Sequence, residues 1–182
     1  GSMWTEVKTL LLEEVEAIQV GNISDFTNFM GAMIDEGQFN KVVEYIEYAR
    51  ENTEYELLHG GTYDDSTGYY VYPTVVLAKE PKGKLMTEEI FGPVLTIYLY
   101  PEDEYEENLK LCDNTSPYGL TGSIFAKDPE AIAKAEEILR YSTGNLYIND
   151  KPTGAVVSQQ PFGGSRKSGT NDKAGSQLNL LN

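Results

Sequence analysis

Few side chains among these 182 residues can do covalent or metal chemistry, and that scarcity narrows the reading at once. There is one cysteine, Cys112, and one histidine, His59. A single thiol excludes an internal disulfide and a cysteine-based metal cluster, and a single imidazole excludes a multi-histidine metal site. Cys112 lies three residues after Leu109 in a stretch of helical character, which reads as ordinary core packing rather than as a nucleophile. His59 stands just before Gly60-Gly61 and reads as structural. Two other stretches hold the more informative groups. Thr87-Glu88-Glu89-Ile90-Phe91-Gly92-Pro93-Val94 sets a carboxylate two residues from an aromatic ring, ahead of a Gly-Pro turn. Gly154-Ala155-Val156-Val157, followed by Gln159-Gln160-Pro161-Phe162-Gly163-Gly164, sets a small-residue bend ahead of a second ring. Taken singly, the first also fits a surface Glu and a core Phe before a strand, and the second a glycine-rich loop over a buried Phe. No G-x-G-x-x-G or other phosphate-cradling loop is present.

These groups must be positioned by a folded domain, and the composition supplies one. Apolar residues make up 40% of the chain and charged residues 24%, the balance of a soluble globular domain with a proper core. The formal charge of −15 argues against a nucleic-acid or anionic-membrane binder, because phosphate contact needs clustered Lys and Arg. The acidic runs Glu102-Asp103-Glu104 and Glu106-Glu107 read as a solvated helix start. The longest strongly apolar run, 94–100, is too short to span a bilayer, and no signal-peptide pattern opens the chain. Residues 1–3 read as a tag remnant or leading segment, and 4–182 as one domain with no linker dividing it.

Apolar spacing predicts the elements. Trp4, Val7, Leu11, Val15 and Ile18 fall at helical intervals with Gly21 as a stop, and Phe39, Val42, Val43, Ile46 and Ala49 make one face of a second helix. A short strand is predicted over 55–58 and a strand-like run over 69–77, which Pro73 should break or hold at an edge. Further strands are predicted over 94–100, 121–126 and 144–148, with helices from about 103 to 113 and after Asp128-Pro129. Strands alternating with amphipathic helices give an α/β fold, an open, largely parallel twisted sheet flanked by helices. In such sheets ligands sit at the carboxyl ends of the strands. The Gly-, Ser-, Pro- and Thr-rich stretch of about 149–173 reads as a long irregular loop, a length that is often functional.

The E-E-I-F-G-P-V segment and the Q-P-F-G-G segment together resemble two active-site segments of the NAD(P)-dependent aldehyde dehydrogenases. Tyr147-Ile148-Asn149-Asp150-Lys151 and Gly169-Thr170-Asn171-Asp172-Lys173 resemble one branch in particular, the delta-1-pyrroline-5-carboxylate dehydrogenases, over nearly the whole chain from Trp4. That resemblance implies NAD as cofactor and L-glutamate γ-semialdehyde, a small molecule of proline breakdown, as the substrate oxidised to L-glutamate. It implies that Glu89 accepts hydrogen bonds from the nicotinamide ribose hydroxyls and that Phe91 packs beside the nicotinamide. One carboxylate can accept from both hydroxyls of a diol, and a flat ring restrains the hydride acceptor. It also implies that Gly154-Ala155 holds the substrate's α-carboxylate and that Phe162 packs against its aliphatic part. Backbone N–H groups suit a carboxylate, and glycine permits close approach. Ala155 lacks the hydroxyl that some members supply there, Ser158 stands where glycine is expected, and Lys167 where a small residue is commoner.

Aldehyde oxidation of this kind also needs a thiolate, oxyanion donors and a base. The resemblance places the nucleophilic cysteine, the general-base glutamate and the dinucleotide-binding domain before the segment matching Trp4. The expectation is therefore a truncated catalytic domain with no catalytic residue and no metal site of its own. Such a chain should give no turnover alone, bind NAD weakly or not at all, and tend to self-associate. The parent is expected to be a homo-oligomer, cytoplasmic in a bacterium and in the mitochondrial matrix in a eukaryote. Another aldehyde dehydrogenase branch and a non-enzymatic α/β binding module are the rival readings.

Overall fold

Helices and strands alternate as the apolar spacing predicts, and they sort into two units, Gly1–Glu102 and Asp103–Asn182. The structure is a computed structural model that describes residues 3–156 and 159–181. The boundary falls in a single 3-10 turn, Glu102–Glu104, with no linker-like composition around it.

In the first unit α1 spans Trp4–Glu16 and α2 spans Glu36–Glu51. After them come β1 (Tyr55–His59), the short hairpin strands β2 (Tyr63–Asp64) and β3 (Tyr70–Val71), β4 (Thr74–Ala78), the one-turn α3 (Lys84–Thr87) and β5 (Val94–Tyr98). Asp35 starts α2 from extended backbone, and its carboxylate accepts from the Gln38 N–H at 2.8 Å, satisfying one free donor of the first turn. Phe39, Val42, Tyr45, Ile46 and Ala49 then line one buried face of α2 and pack on Tyr55, Val76, Ala78, Leu85 and Ile90. Val42 and Ile46 are wholly buried, and each contributes about 1.5–3 kcal/mol of apolar burial. Pro73 breaks the predicted strand-like run between β3 and β4, as its missing N–H requires.

The spacing gave α1 a face that the structure buries only in part, with Trp4, Leu11 and Val15 half-buried. No residue of α1 is fully buried, Val7 is half exposed, and the helix stops at Glu16, just short of Ile18 and a turn or so before Gly21. Periodicity reports that a face is apolar and says nothing of what covers it.

The second unit holds α4 (Tyr105–Thr115), β6 (Tyr118–Gly119), β7 (Thr121–Ile124), α5 (Pro129–Leu139), β8 (Asn145–Ile148) and β9 (Ser165–Arg166). Asp128 caps α5 by accepting from the Glu130 N–H at 3.0 Å, with Pro129 at the first helical position as predicted. Leu109, Ile124, Ala135 and Leu139 form the core between α4, α5 and the strands.

The class is α/β, and the connections decide the strand directions. A crossover helix joins β7 to β8 and α3 lies between β4 and β5, and both pairs are parallel. No helix lies between β1 and β4, and they pair antiparallel, giving the order β1-β4-β5. The strands are thus distributed over small sheets, with β2–β3 and β6–β9 as antiparallel two-stranded ribbons.

Candidate functional site

The 88–93 segment of the first unit is racked on one stripe of α2. Gln38, Lys41, Val42 and Tyr45 recur at i, i+3, i+4 and i+7 and so share a helix face. Tyr45 donates its hydroxyl to Glu88 Oε2 at 2.5 Å. Lys41 Nζ donates to the Glu89 carbonyl at 2.9 Å, and Gln38 Nε2 donates to the carbonyls of Ile90 at 3.0 Å and Phe91 at 2.9 Å. Val42 meets Gly92, where a Cβ would stand 2.5 Å from Val42 Cγ2, so glycine is required by close packing. Ile90 is buried in the core, while Glu89 is exposed and Phe91 is 74% exposed. Phe91 has φ +60, a left-handed backbone uncommon for a bulky residue. Carbonyls therefore turn inward along this segment, and a carboxylate and a ring turn outward.

Electrostatics reinforce the rack. The Glu88 hydrogen bond, with burial and the Glu88 and Glu44 charges adding to it, pushes the Tyr45 phenol up to about 12. Lys84 Nζ lies 4.6 Å from the Tyr45 ring centroid and 4.9 Å from that of Tyr48, and 3.3 Å from Glu44 Oε1.

In the second unit the predicted loop is irregular apart from β9 and a bridge between Phe162 and Ala174. Gly154 has φ +121, a conformation that suits glycine, and the Lys151 stem lies alongside it, with Cε 3.3 Å from where a Cβ would be. Ala155 and Phe162 are half-buried, and Gly154 is exposed. Val157 and Ser158 lie outside the described residues. Lys167 is exposed, and its N–H donates to the Pro117 carbonyl at 3.1 Å. Asn145, the first residue of β8, donates Nδ2 to the Pro161 carbonyl at 3.0 Å and accepts from the Gly163 N–H at 3.3 Å. The Phe162 N–H donates to Ala174 at 3.0 Å, and Lys173 Nζ donates to Gly144 at 2.5 Å. Glu89 and Phe91 thus belong to the first unit, and Gly154, Ala155 and Phe162 to the second.

Cys112 is not the core residue its spacing suggested; it is exposed on α4. Three residues from Leu109 is roughly 60° round the helix, enough to leave the contact that buries Leu109. Partial desolvation pushes its thiol above the ordinary range, the Asp113 charge adds to this, and Arg166 opposes it. A raised thiol is a poor nucleophile. Among the described residues, no cluster of three His, Cys, Asp or Glu side chains could hold a metal ion. No helix among them is long and apolar enough to cross a membrane.

Sequence reasoning passed over Gln38, Lys41 and Tyr45 in the first unit and Asn145 and Lys173 in the second. For the first three the helical spacing placed them on one side of α2, Tyr45 within its buried face, but nothing in that spacing says which backbone groups they meet. For Asn145 and Lys173 there was no signal, because their partners are backbone groups far along the chain.

The chain belongs to the aldehyde dehydrogenase family, whose model matches residues 1–180. Among its relatives is the mitochondrial delta-1-pyrroline-5-carboxylate dehydrogenase of Dictyostelium discoideum, 54% identical over 180 residues, a span covering 99% of this chain and 32% of that protein. The human mitochondrial enzyme of the same name is 49% identical, with 99% and 32% covered. The structure of the Mycobacterium tuberculosis enzyme bound with NAD superposes with a TM-score of 0.88 at 47% identity, covering 99% of this chain and 32% of that one. The chain therefore spans about a third of the length of the relatives it matches.

Proposed function

We infer that this chain is the portion of an NAD-dependent delta-1-pyrroline-5-carboxylate dehydrogenase that grips the nicotinamide end of the cofactor and the amino-acid end of the substrate. The whole enzyme oxidises L-glutamate γ-semialdehyde to L-glutamate. The observation that carries the reading is the outward-facing pair of Glu89 and Phe91, on a segment whose Glu89, Ile90 and Phe91 carbonyls are tied to α2. The relatives' names and near-complete coverage of the chain support it.

The residues present fit the cofactor. Glu89 offers an exposed carboxylate with no donor bound to it among the described residues, an acceptor for the two ribose hydroxyls. The exposed Phe91 ring offers an apolar plane that restrains the nicotinamide and excludes water beside it. When bound, NAD supplies the hydride acceptor. Gly154 and Ala155 present backbone N–H groups to the substrate's α-carboxylate, and Phe162 packs on its methylenes. The attacking thiolate and the base would come from residues outside this chain, Cys112 being neither placed nor tuned for the task.

The test compares NADH formation by the longer polypeptide carrying this segment on glutamate γ-semialdehyde and on an uncharged aliphatic aldehyde of similar length. A clear preference for the semialdehyde is expected, with no turnover by the 182-residue chain alone. Equal rates on the two aldehydes would place the protein in another branch of the family. We assign the enzyme to the mitochondrial matrix if its source is eukaryotic and to the cytoplasm if bacterial, as a homo-oligomer.

A further inference from the structure

The geometry points to Gln38 as a positioning residue that holds Phe91 in its left-handed conformation and so aims the cofactor-facing ring. This rests on the reading of Phe91 given above and adds the element that fixes it. A bulky residue at φ +60 is unfavourable on its own and persists only where its surroundings over-determine it. Burial of the ring is not what holds it, since Phe91 is largely exposed. The constraint must act through the backbone. Gln38 Nε2 takes the two carbonyls that flank the Phe91 Cα, at 3.0 and 2.9 Å. In extended backbone successive carbonyls diverge, so their convergence on one nitrogen requires a compact conformation at the residue between them.

The neighbouring contacts leave that residue little alternative. Lys41 fixes the carbonyl of Glu89 just before, and Gly92 just after is pressed against Val42. Ile90 is anchored in the core. The segment is thus pinned at both ends on a single helix face, and Gln38 supplies the pin in the middle. Its bond to Ile90 is partly buried, where a hydrogen bond is less diluted by water than the exposed one made by Lys41. Because Asp35 caps the helix on the Gln38 N–H, the side chain that aims Phe91 is itself anchored at the start of α2.

The experiment reads the Phe91 backbone directly in the 182-residue chain. A residue with positive φ gives a strong intraresidue amide–Hα nuclear Overhauser effect, and the unmodified chain should show one at Phe91. Gln38→Glu keeps length and helix preference but has no N–H to give, and Gln38→Ala removes the group; both should lose the signal while circular dichroism and spectral dispersion persist. Gln38→Lys, which restores a donor, should regain it. Persistence of the signal in both Gln38→Glu and Gln38→Ala, or its absence from the unmodified chain, overturns the proposal.

A second measurement separates this inference from the reading beneath it. In the longer enzyme, Gln38→Ala should raise KM for NAD roughly threefold to tenfold with KM for the aldehyde unchanged. If Phe91→Ala raises KM for NAD and Gln38→Ala does not, the positioning role is refuted and the cofactor reading stands. If Phe91→Ala itself leaves KM for NAD unchanged, the cofactor reading fails, and the role of Gln38 in aiming a cofactor-facing ring fails with it.

Discussion

The side-chain amide of Asn145 straddles Phe162: it donates to the carbonyl of the residue before and accepts from the N–H of the residue after. A ring on an irregular loop is thereby held from the first residue of a strand. Asn145→Ala removes both bonds and should destabilise the second unit by about 1–3 kcal/mol. Limited proteolysis should cut faster within 159–164, and an unchanged cleavage rate there would show that the amide does not hold the loop.

Tyr45 gives a pH dependence of definite sign. Its phenol is raised from 10.0 to about 12 by donation to Glu88 foremost, so the fold favours the neutral form. The contribution is whole below the unfolded value near pH 10 and is lost as pH rises through about 12. Tyr55 and Tyr63 are also raised, the first by burial and the second by its bond to Glu47, and they act in the same direction. Urea melts from pH 8 upward should show stability flat to about pH 10 and falling beyond it. In Tyr45→Phe part of that fall should vanish, and identical alkaline profiles would remove Tyr45 from the account.

Gly92 and Val42 should be energetically coupled. A methyl on Gly92 would lie 2.5 Å from Val42 Cγ2, so Gly92→Ala overpacks the site at about 1–3 kcal/mol. Val42→Ala opens space at the same point, and the double variant should be more stable than the sum of the single losses allows. Additivity in a double-mutant cycle would mean that α2 and the 88–93 segment relax independently.

Cys112 should behave as an inert thiol despite its exposure. With its proton held by desolvation and by Asp113, it should react with an aromatic disulfide reagent at pH 7 several-fold more slowly than free cysteine. Cys112→Ala in the longer enzyme should leave kcat and KM unchanged. Loss of turnover in that variant would overturn its dismissal as a nucleophile.

Much of the fold could be read from the residues. The α2 face, the Pro73 break and the Asp128-Pro129 start of α5 are local events, set by spacing and by the chemistry of one or two residues. The E-E-I-F-G-P-V and Q-P-F-G-G segments were visible as motifs. Their supports were not, because Gln38 and Ile90 are 52 residues apart and are joined by a side chain bonding to backbone, which leaves no pattern in residue types. The exposure of Cys112 and the incomplete burial of the α1 face escaped for a related reason: helical spacing defines an angle round an axis and not a neighbour.

One stretch of the first unit bears on handling. Between α1 and α2, Phe26, Phe29 and Ile34 are 98%, 79% and 89% exposed, a greasy spot on a polypeptide carrying fifteen surplus negative charges. Mutual repulsion between copies is what disperses such a molecule, and dissolved ions shorten its range to about 10 Å at 0.1 M and about 3 Å at 1 M. Concentrated brine should therefore cloud a solution that dilute buffer keeps clear, and a Phe26→Ser, Phe29→Ser pair should postpone the turbidity.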